Sequence, residues 1–269
     1  MLPPLLYGTA WKKDDTARLV TTAIRLGFRG IDTACQPKHY NEPGVGDGIA
    51  EGLTSGVNRN DLHLQTKFTS LCGQDPKRIP YDQNAPLREQ VRQSLNASLR
   101  NLRTDYVDAL LLHSPFSRTA DTFTAWQAFE ALADTGHVRQ LGLSNCYRLD
   151  ELQTLFDAAR IKPTILQNRF YASTGYDRDI RAFCKTHHIV YQSFWTLTAN
   201  HTLLAHTQLL QISTTHKRTP AQILFRYLTQ QGIVPLTGTR DITHMREDLA
   251  IVEFELDERE CREMGAMLI

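Results

Sequence analysis

Short apolar runs alternate along the chain with longer stretches in which apolar residues recur every three or four positions. The runs at 5–9, 29–32, 62–67, 107–113, 138–144, 164–167, 189–193 and 232–235 read as strands. Several, such as "VDALLLH" ending at His113, are nearly continuous, the pattern of parallel strands covered on both faces. The intervening stretches read as amphipathic helices. One starts at Asp14 or Asp15, turns Leu19, Ala23 and Ile24 inward and stops at Gly27. Another opens at Pro86 and carries Leu87, Val91, Leu95, Leu99 and Leu102 on one face. Further helices are predicted at about 122–135, 148–160, 176–186, 202–215, 219–231, 241–250 and 257–267.

This alternation predicts an α/β fold, a closed (β/α)8 TIM barrel with an extra C-terminal helix and a long loop after the third strand. No Pro-, Gly- or Ser-rich linker interrupts the series, so residues 1–269 are expected to form a single domain. The glycine-rich stretch "GVGDGI" at 44–49 lacks the GxGxxG spacing of a dinucleotide-binding turn. Gly44 and Gly46 are expected instead to let their helix pack closely on the barrel.

Charge and cysteine content remove several classes of function. Lysine and arginine number 30 against 29 acidic residues, interspersed, which predicts neither a nucleic acid nor an anionic membrane as partner. No segment approaches the ~18 apolar residues of a membrane span. The start, "MLPPLLYGTAW", has no basic region followed by a long apolar run, so no secretion signal is expected. Cys35, Cys72, Cys146, Cys184 and Cys261 are scattered and odd in number, as in a reduced, cytoplasmic enzyme with space-filling thiols. No metal is expected: His187 and His188 are adjacent, and His201 and His206 give no paired helical face.

In such barrels chemistry sits at the C-terminal strand ends. Five consecutive predicted ends carry polar or ionisable groups: Asp32, Lys67, His113, Ser144 with Asn145, and Gln167. Taken alone, Asp32 and Lys67 read equally as a structural ion pair and His113 as a hydrogen-bonded core histidine. Converging on one rim, they point to a site. The loop after Asp32, "TACQPKHYNE", adds Lys38, His39 and Tyr40 as rival reactive groups.

The chain resembles the aldo-keto reductases, nicotinamide-dependent carbonyl reductases built on a TIM barrel. The resemblance rests on "GTAW", "GIDTA", "YNE" with "VGDGI", "TKF", "DYVDALLLHSP", "GHVRQLGLSN", "ILQN" and "GIVPLTGT…EDL", in the family's order over essentially the full length. It implies a catalytic tetrad of Asp32, Tyr40, Lys67 and His113. A tyrosine with an ordinary pKa of ~10 holds its proton at neutral pH and can give it to a carbonyl oxygen. The Lys67 ammonium would lower that pKa, Asp32 would hold the lysine charged, and His113 would aim the substrate oxygen. NADPH is the implied cofactor, with NADH possible.

The resemblance places the nicotinamide carboxamide against Ser144, Asn145 and Gln167, and Phe194 on the ring face where a tyrosine is commoner. Gly8, Thr9 and Ala10 would lie near the nicotinamide end, and Trp195, Thr196 and Leu197, on to Thr198, near the pyrophosphate. Thr237, Gly238, Thr239, Arg240 and His244 would meet the adenosine phosphate, and Glu247 and Asp248 the adenine. The chain has Leu236-Thr237 where many NADPH-using members carry Lys-Ser.

Three departures bear on these expectations. Asp32 and Tyr40 stand eight positions apart, about three more than usual, so Tyr40 reaches the tetrad only if the loop folds back; otherwise His39 is the rival acid. A long insertion, 69–85, follows the third strand, and Ser114 replaces a common tryptophan. Trp11, Tyr81, Ser114 and Phe116 are therefore expected as pocket walls for a small-molecule carbonyl substrate. The chain also ends soon after its last helix, so the long loop covering the pocket in many members is expected to be absent. A monomer or weak homo-oligomer is expected. Two alternatives stay open: a cofactor-binding regulatory subunit with little turnover, and a Schiff-base aldolase using Lys67.

Overall fold

The computed structural model describes residues 2–268 and has a closed barrel of eight parallel strands in sequential order. The strands are β1 (Leu6–Gly8), β2 (Gly30–Asp32), β3 (His63–Phe68), β4 (Val107–Leu112), β5 (Val138–Ser144), β6 (Ile165–Arg169), β7 (Val190–Phe194) and β8 (Val234–Thr237). The expected TIM barrel is therefore present, each strand within a few residues of its apolar run.

The helices surround the strands: α1 (Thr16–Leu26), α2 (Glu42–Leu53), α3 (Leu87–Leu102), α4 (Thr119–Asp134), α5 (Leu149–Ala158) and α6 (Arg178–Thr186). They are followed by α7 (His201–Leu204), α8 (Thr207–His216), α9 (Pro220–Gln230), α10 (Ile242–Leu249) and α11 (Glu258–Ala266). The single helix expected at 202–215 is broken into α7 and α8. His206 takes an extended backbone (ψ 132°), and its Nδ1 accepts from Gln208 N, so the residue caps a new helix.

Inside and outside faces separate cleanly by strand parity. Leu64, Leu110 and Leu141 point outward into the main core beneath the helices. Ala109, Leu111 and Ile165 form a separate apolar cluster. Gln65 and Lys67 are in register with Ala109 and Leu111, so all four side chains enter the bore.

The glycines of α2 correct one expectation. A Cβ on Gly46 would lie 2.0 Å from Asn101 O of α3, and one on Gly48 would lie 2.6 Å from Ala17 O of α1. They let α2 wedge between its neighbours in the helical ring, so the close approach the glycines permit is to α1 and α3. That wedge sets where the preceding loop, and Tyr40 with it, meets the barrel rim.

Candidate active site

The strand ends open on a cleft of about 830 Å³. Below its floor, Lys67 Nζ donates to Asp32 Oδ1 at 2.6 Å and to Thr33 O at 2.9 Å. Both residues are buried. Burial lowers the lysine pKa, and the carboxylates of Asp32 and Glu42 oppose that shift. Lys67 does not itself line the cleft.

The eight-residue step from Asp32 to Tyr40 is taken up by one tight turn. Gln36 O accepts from both His39 N (3.1 Å) and Tyr40 N (3.0 Å), which folds the extra residues back on themselves. The insertion after β3 holds this turn: Gln36 Nε2 donates to Gly73 O at 2.7 Å, and Gln74 Nε2 to Cys35 O at 2.9 Å. The two departures in length thus brace each other. Tyr40 arrives with its ring 5.4 Å from Lys67 Nζ and its centroid 6.1 Å from that of His113. His39 instead stacks on Trp11, centroids 3.9 Å apart.

Tyr40 keeps its proton firmly. Burial raises its pKa above the ordinary 10, and the Asp32 carboxylate adds to the rise. The expected lowering by Lys67 does not prevail: burial outweighs it, and Asp32 pairs with that ammonium at 2.6 Å. His113 is pushed down to about 3 by burial, then by Lys67 and His39, so its imidazole is neutral at ordinary pH. Its Nδ1 meets Thr69 Oγ1 at 2.6 Å. With the threonine hydroxyl donating, the ring carries its proton on Nε2.

The His113 shift has a consequence for folding. Its folded pKa is depressed, so between about 3 and the ordinary 6.5 the unfolded chain binds a proton that the folded chain refuses. Stability from this group is present above 6.5 and is lost as pH falls, at up to ~1.4 kcal/mol per pH unit. His113→Gln should therefore show a smaller fall in Tm than the unaltered protein between about pH 6.5 and pH 4, measured by circular dichroism.

On the opposite wall, Ser144 Oγ donates to Gln167 O at 2.8 Å, and Asn145 Nδ2 donates to His113 O at 2.8 Å. Gln167, Phe194 and the turn 195–198 line the same wall. Trp195 is 47% exposed, with the Arg169 guanidinium 4.2 Å over its ring. Gly8, at the end of β1, and Ala10, just beyond it, line the cleft, whereas Thr9 is buried and donates its hydroxyl to Asp32 O. Thr237, Gly238, Thr239 and Arg240 line the far end.

Other predicted contacts lie elsewhere. His244 is exposed and Glu247 half-buried on α10, and neither lines the cleft. Asp248 is buried, with Oδ2 unpartnered and burial pushing its pKa up to about 6. Of the expected pocket walls only Trp11 lines the cleft. Tyr81 is turned into the core, its hydroxyl donating to Thr69 O and its ring 5.6 Å from Phe68. Ser114 is exposed and bonded to the carbonyl of His113, and Phe116 packs against the core. The insertion folds down as a brace, which removes Tyr81 from the wall.

Four further cleft residues carry polar groups: Lys12, Gln36, His39 and Arg169. Lys12 is buried, donates to Gly238 O, and has its pKa lowered to about 8 by burial and by Arg240. Its position directly after "GTAW" was the available signal, masked by a second lysine at Lys13. Among the described residues no cluster of His, Cys, Asp or Glu suits a metal, and no helix is long and apolar enough to cross a membrane.

Comparison with known proteins places this architecture. The model of the Aldo/keto reductase family matches residues 5–199 and 173–269. The uncharacterized oxidoreductase YtbE of Bacillus subtilis is 32% identical over 250 residues, covering 92% of this chain and 82% of that protein. The glyoxal reductase of the same organism is 31% identical over 255 residues, covering 94% and 84%. A crystal structure of an aldo/keto reductase from Brucella melitensis superposes with a TM-score of 0.83 at 27% identity, covering 99% of this chain and 95% of that one. The chain belongs to the aldo/keto reductase family and is an NAD(P)H-dependent oxidoreductase of carbonyl compounds.

Proposed function

We propose that the protein reduces aldehydes or ketones to alcohols, with Tyr40 giving the proton to the carbonyl oxygen. The carrying observation is the convergence of Tyr40, His113 and Asp32 from three chain segments on one cleft, with Lys67 paired to Asp32 directly beneath. The Tyr40 hydroxyl has no hydrogen-bond partner among the described residues, although the residue lines the cleft, so it is free to donate. Nε2–H of His113 offers the substrate oxygen a second donor and fixes its direction. Lys67 stands beneath the Tyr40 ring, where its ammonium, partly offset by Asp32, is the nearest cation to the phenolate that remains after transfer. Lys67 is a poor Schiff-base nucleophile, because its nitrogen is tied to Asp32 and Thr33 below the floor.

The cleft suits a nicotinamide dinucleotide, which when bound supplies the hydride. Ser144, Asn145 and Gln167 offer an amide-matching set of polar groups at one end. Thr237, Thr239, Arg240 and Lys12 offer hydroxyls and cations along the rest. Gly8 and Gly238 also line this cleft and bring backbone without side chains to it. These cations favour NADPH over NADH. The five unpaired thiols agree with work in a reducing, cytoplasmic setting.

Trp11 and Trp195 both line the cleft and report its occupation. Titration with each reduced cofactor should quench tryptophan fluorescence, NADPH at the lower concentration. A carbonyl panel should then oxidise the tighter cofactor. Absence of both quenching and carbonyl-dependent oxidation defeats the reading.

A further inference from the structure

The bore beneath the cleft floor is crossed by amides where a barrel ordinarily stacks aliphatic side chains. Gln65 on β3 and Gln192 on β7 come from opposite sides of the barrel, and neither has any exposed surface. They bond reciprocally: Gln65 Nε2 donates to Gln192 Oε1 at 2.8 Å, and Gln192 Nε2 donates to Gln65 Oε1 at 2.9 Å. Gln192 Oε1 accepts a second N–H, from Gln167 Nε2, at 2.9 Å. The other N–H groups of Gln65 and Gln167 both run to Asp32 Oδ1, at 2.6 and 2.9 Å. His63 Nε2 lies 3.3 Å from Gln65 Oε1 and closes the lower end.

The donor count makes this network directional. A primary amide has two N–H groups and a carboxylate has none, so nitrogen, not oxygen, must face Asp32 in both Gln65 and Gln167. Both N–H groups of Gln167 are thereby held inside the barrel, one by Asp32 and one by Gln192. Its Oε1 is left as the group for the cleft, which Gln167 lines. Without Gln192 Oε1, one buried N–H of Gln167 has no acceptor, and turning the amide over becomes competitive. An aliphatic layer would fill the bore equally well and set no such direction.

We propose that Gln65 and Gln192 are positioning residues that hold Gln167 with its carbonyl toward the cleft, as an acceptor for the amide N–H of a bound nicotinamide. The inference rests on the cofactor reading above. It makes recognition of the carboxamide depend on two side chains that touch neither cofactor nor substrate. It also gives Asp32 two neutral donors beside Lys67, fixing the carboxylate from three directions.

The test compares binding of NADP+ with that of its 3-acetylpyridine analogue, whose ring substituent keeps the carbonyl but has no N–H. Both are titrated by tryptophan fluorescence against the unaltered protein, Gln192→Leu, and Gln65→Leu with Gln192→Leu. In the double variant both facing groups are apolar, so neither member of the pair is left unpartnered, and it carries the test where the single variant does not fold. The unaltered protein should bind NADP+ about five- to tenfold more tightly than the analogue, the worth of one hydrogen bond. In the variants that ratio should fall to within about twofold, through weaker NADP+ and little-changed analogue. Folded variants that keep the original ratio overturn the inference alone, as does an unaltered protein that binds both equally. An unaltered protein that binds neither overturns the cofactor reading and this inference together.

Discussion

Replacing Tyr40 by phenylalanine should lower kcat about 100- to 10 000-fold, the range over which a positioned proton donor acts, while the Kd for NADPH stays within about twofold. The ring remains, so its packing over Lys67 Nζ at 5.4 Å and against His113 is preserved and only the proton is lost. Single-turnover reduction and fluorescence titration on the same preparation separate the two quantities. Normal turnover would remove Tyr40 from the mechanism and return His39, stacked on Trp11 nearby, to contention. The raised pKa adds a direction. Because burial and Asp32 hold the proton on Tyr40 above the ordinary 10, reduction should run at an even rate through neutral pH. Alcohol oxidation needs the phenolate as base, so it should rise with pH into the alkaline range. Equal pH dependence in both directions would contradict the assignment.

How much of this was legible in the chain depended on the range of the interactions involved. Asp32, Lys67, His113 and Gln167 each break an apolar run near its end, and in a parallel barrel that position alone brings them to one end of the barrel, with Lys67 just below the cleft that the others line. Tyr40 was expected at the site, but the turn that returns it was not legible, because it is held by Gln36 on Gly73 and Gln74 on Cys35, partners 37 and 39 positions apart. Tyr81 was misplaced for the same reason: an aromatic in a long insertion looks like a wall until the insertion folds down onto Phe68. The break at His206 hides inside continuous helical periodicity, since a side chain capping its own neighbour leaves the apolar pattern unchanged. Gln65 and Gln192 did carry a signal. Each stands two positions before a residue already singled out at a strand end, Lys67 or Phe194, and strand parity alone turns it into the bore.

Substituting Asp32 by leucine should be the most destabilising single change at the site, because it leaves the Lys67 ammonium buried without its partner. Breaking a buried pair in this way costs about 3–5 kcal/mol, a fall in Tm on the order of 10 °C for a chain of this size. Gln65 and Gln167 also lose their shared acceptor, at 2.6 and 2.9 Å, which adds to the loss. The pH dependence identifies the cause. Burial already lowers the Lys67 pKa, and removing Asp32 removes the leading opposing influence. Between that lowered folded value and the ordinary 10.5 the unfolded chain binds a proton that the folded chain does not, so stability must rise with pH across the window. The Tm deficit should therefore be larger at about pH 6 than at about pH 9, by differential scanning calorimetry. Adding Lys67→Met should recover part of the Tm and abolish its pH dependence, but not all of the Tm, since two amides still lack an acceptor. An equal deficit at both pH values would mean that Lys67 keeps its charge without Asp32, and Glu42, the other carboxylate acting on it, would then be the group that holds it.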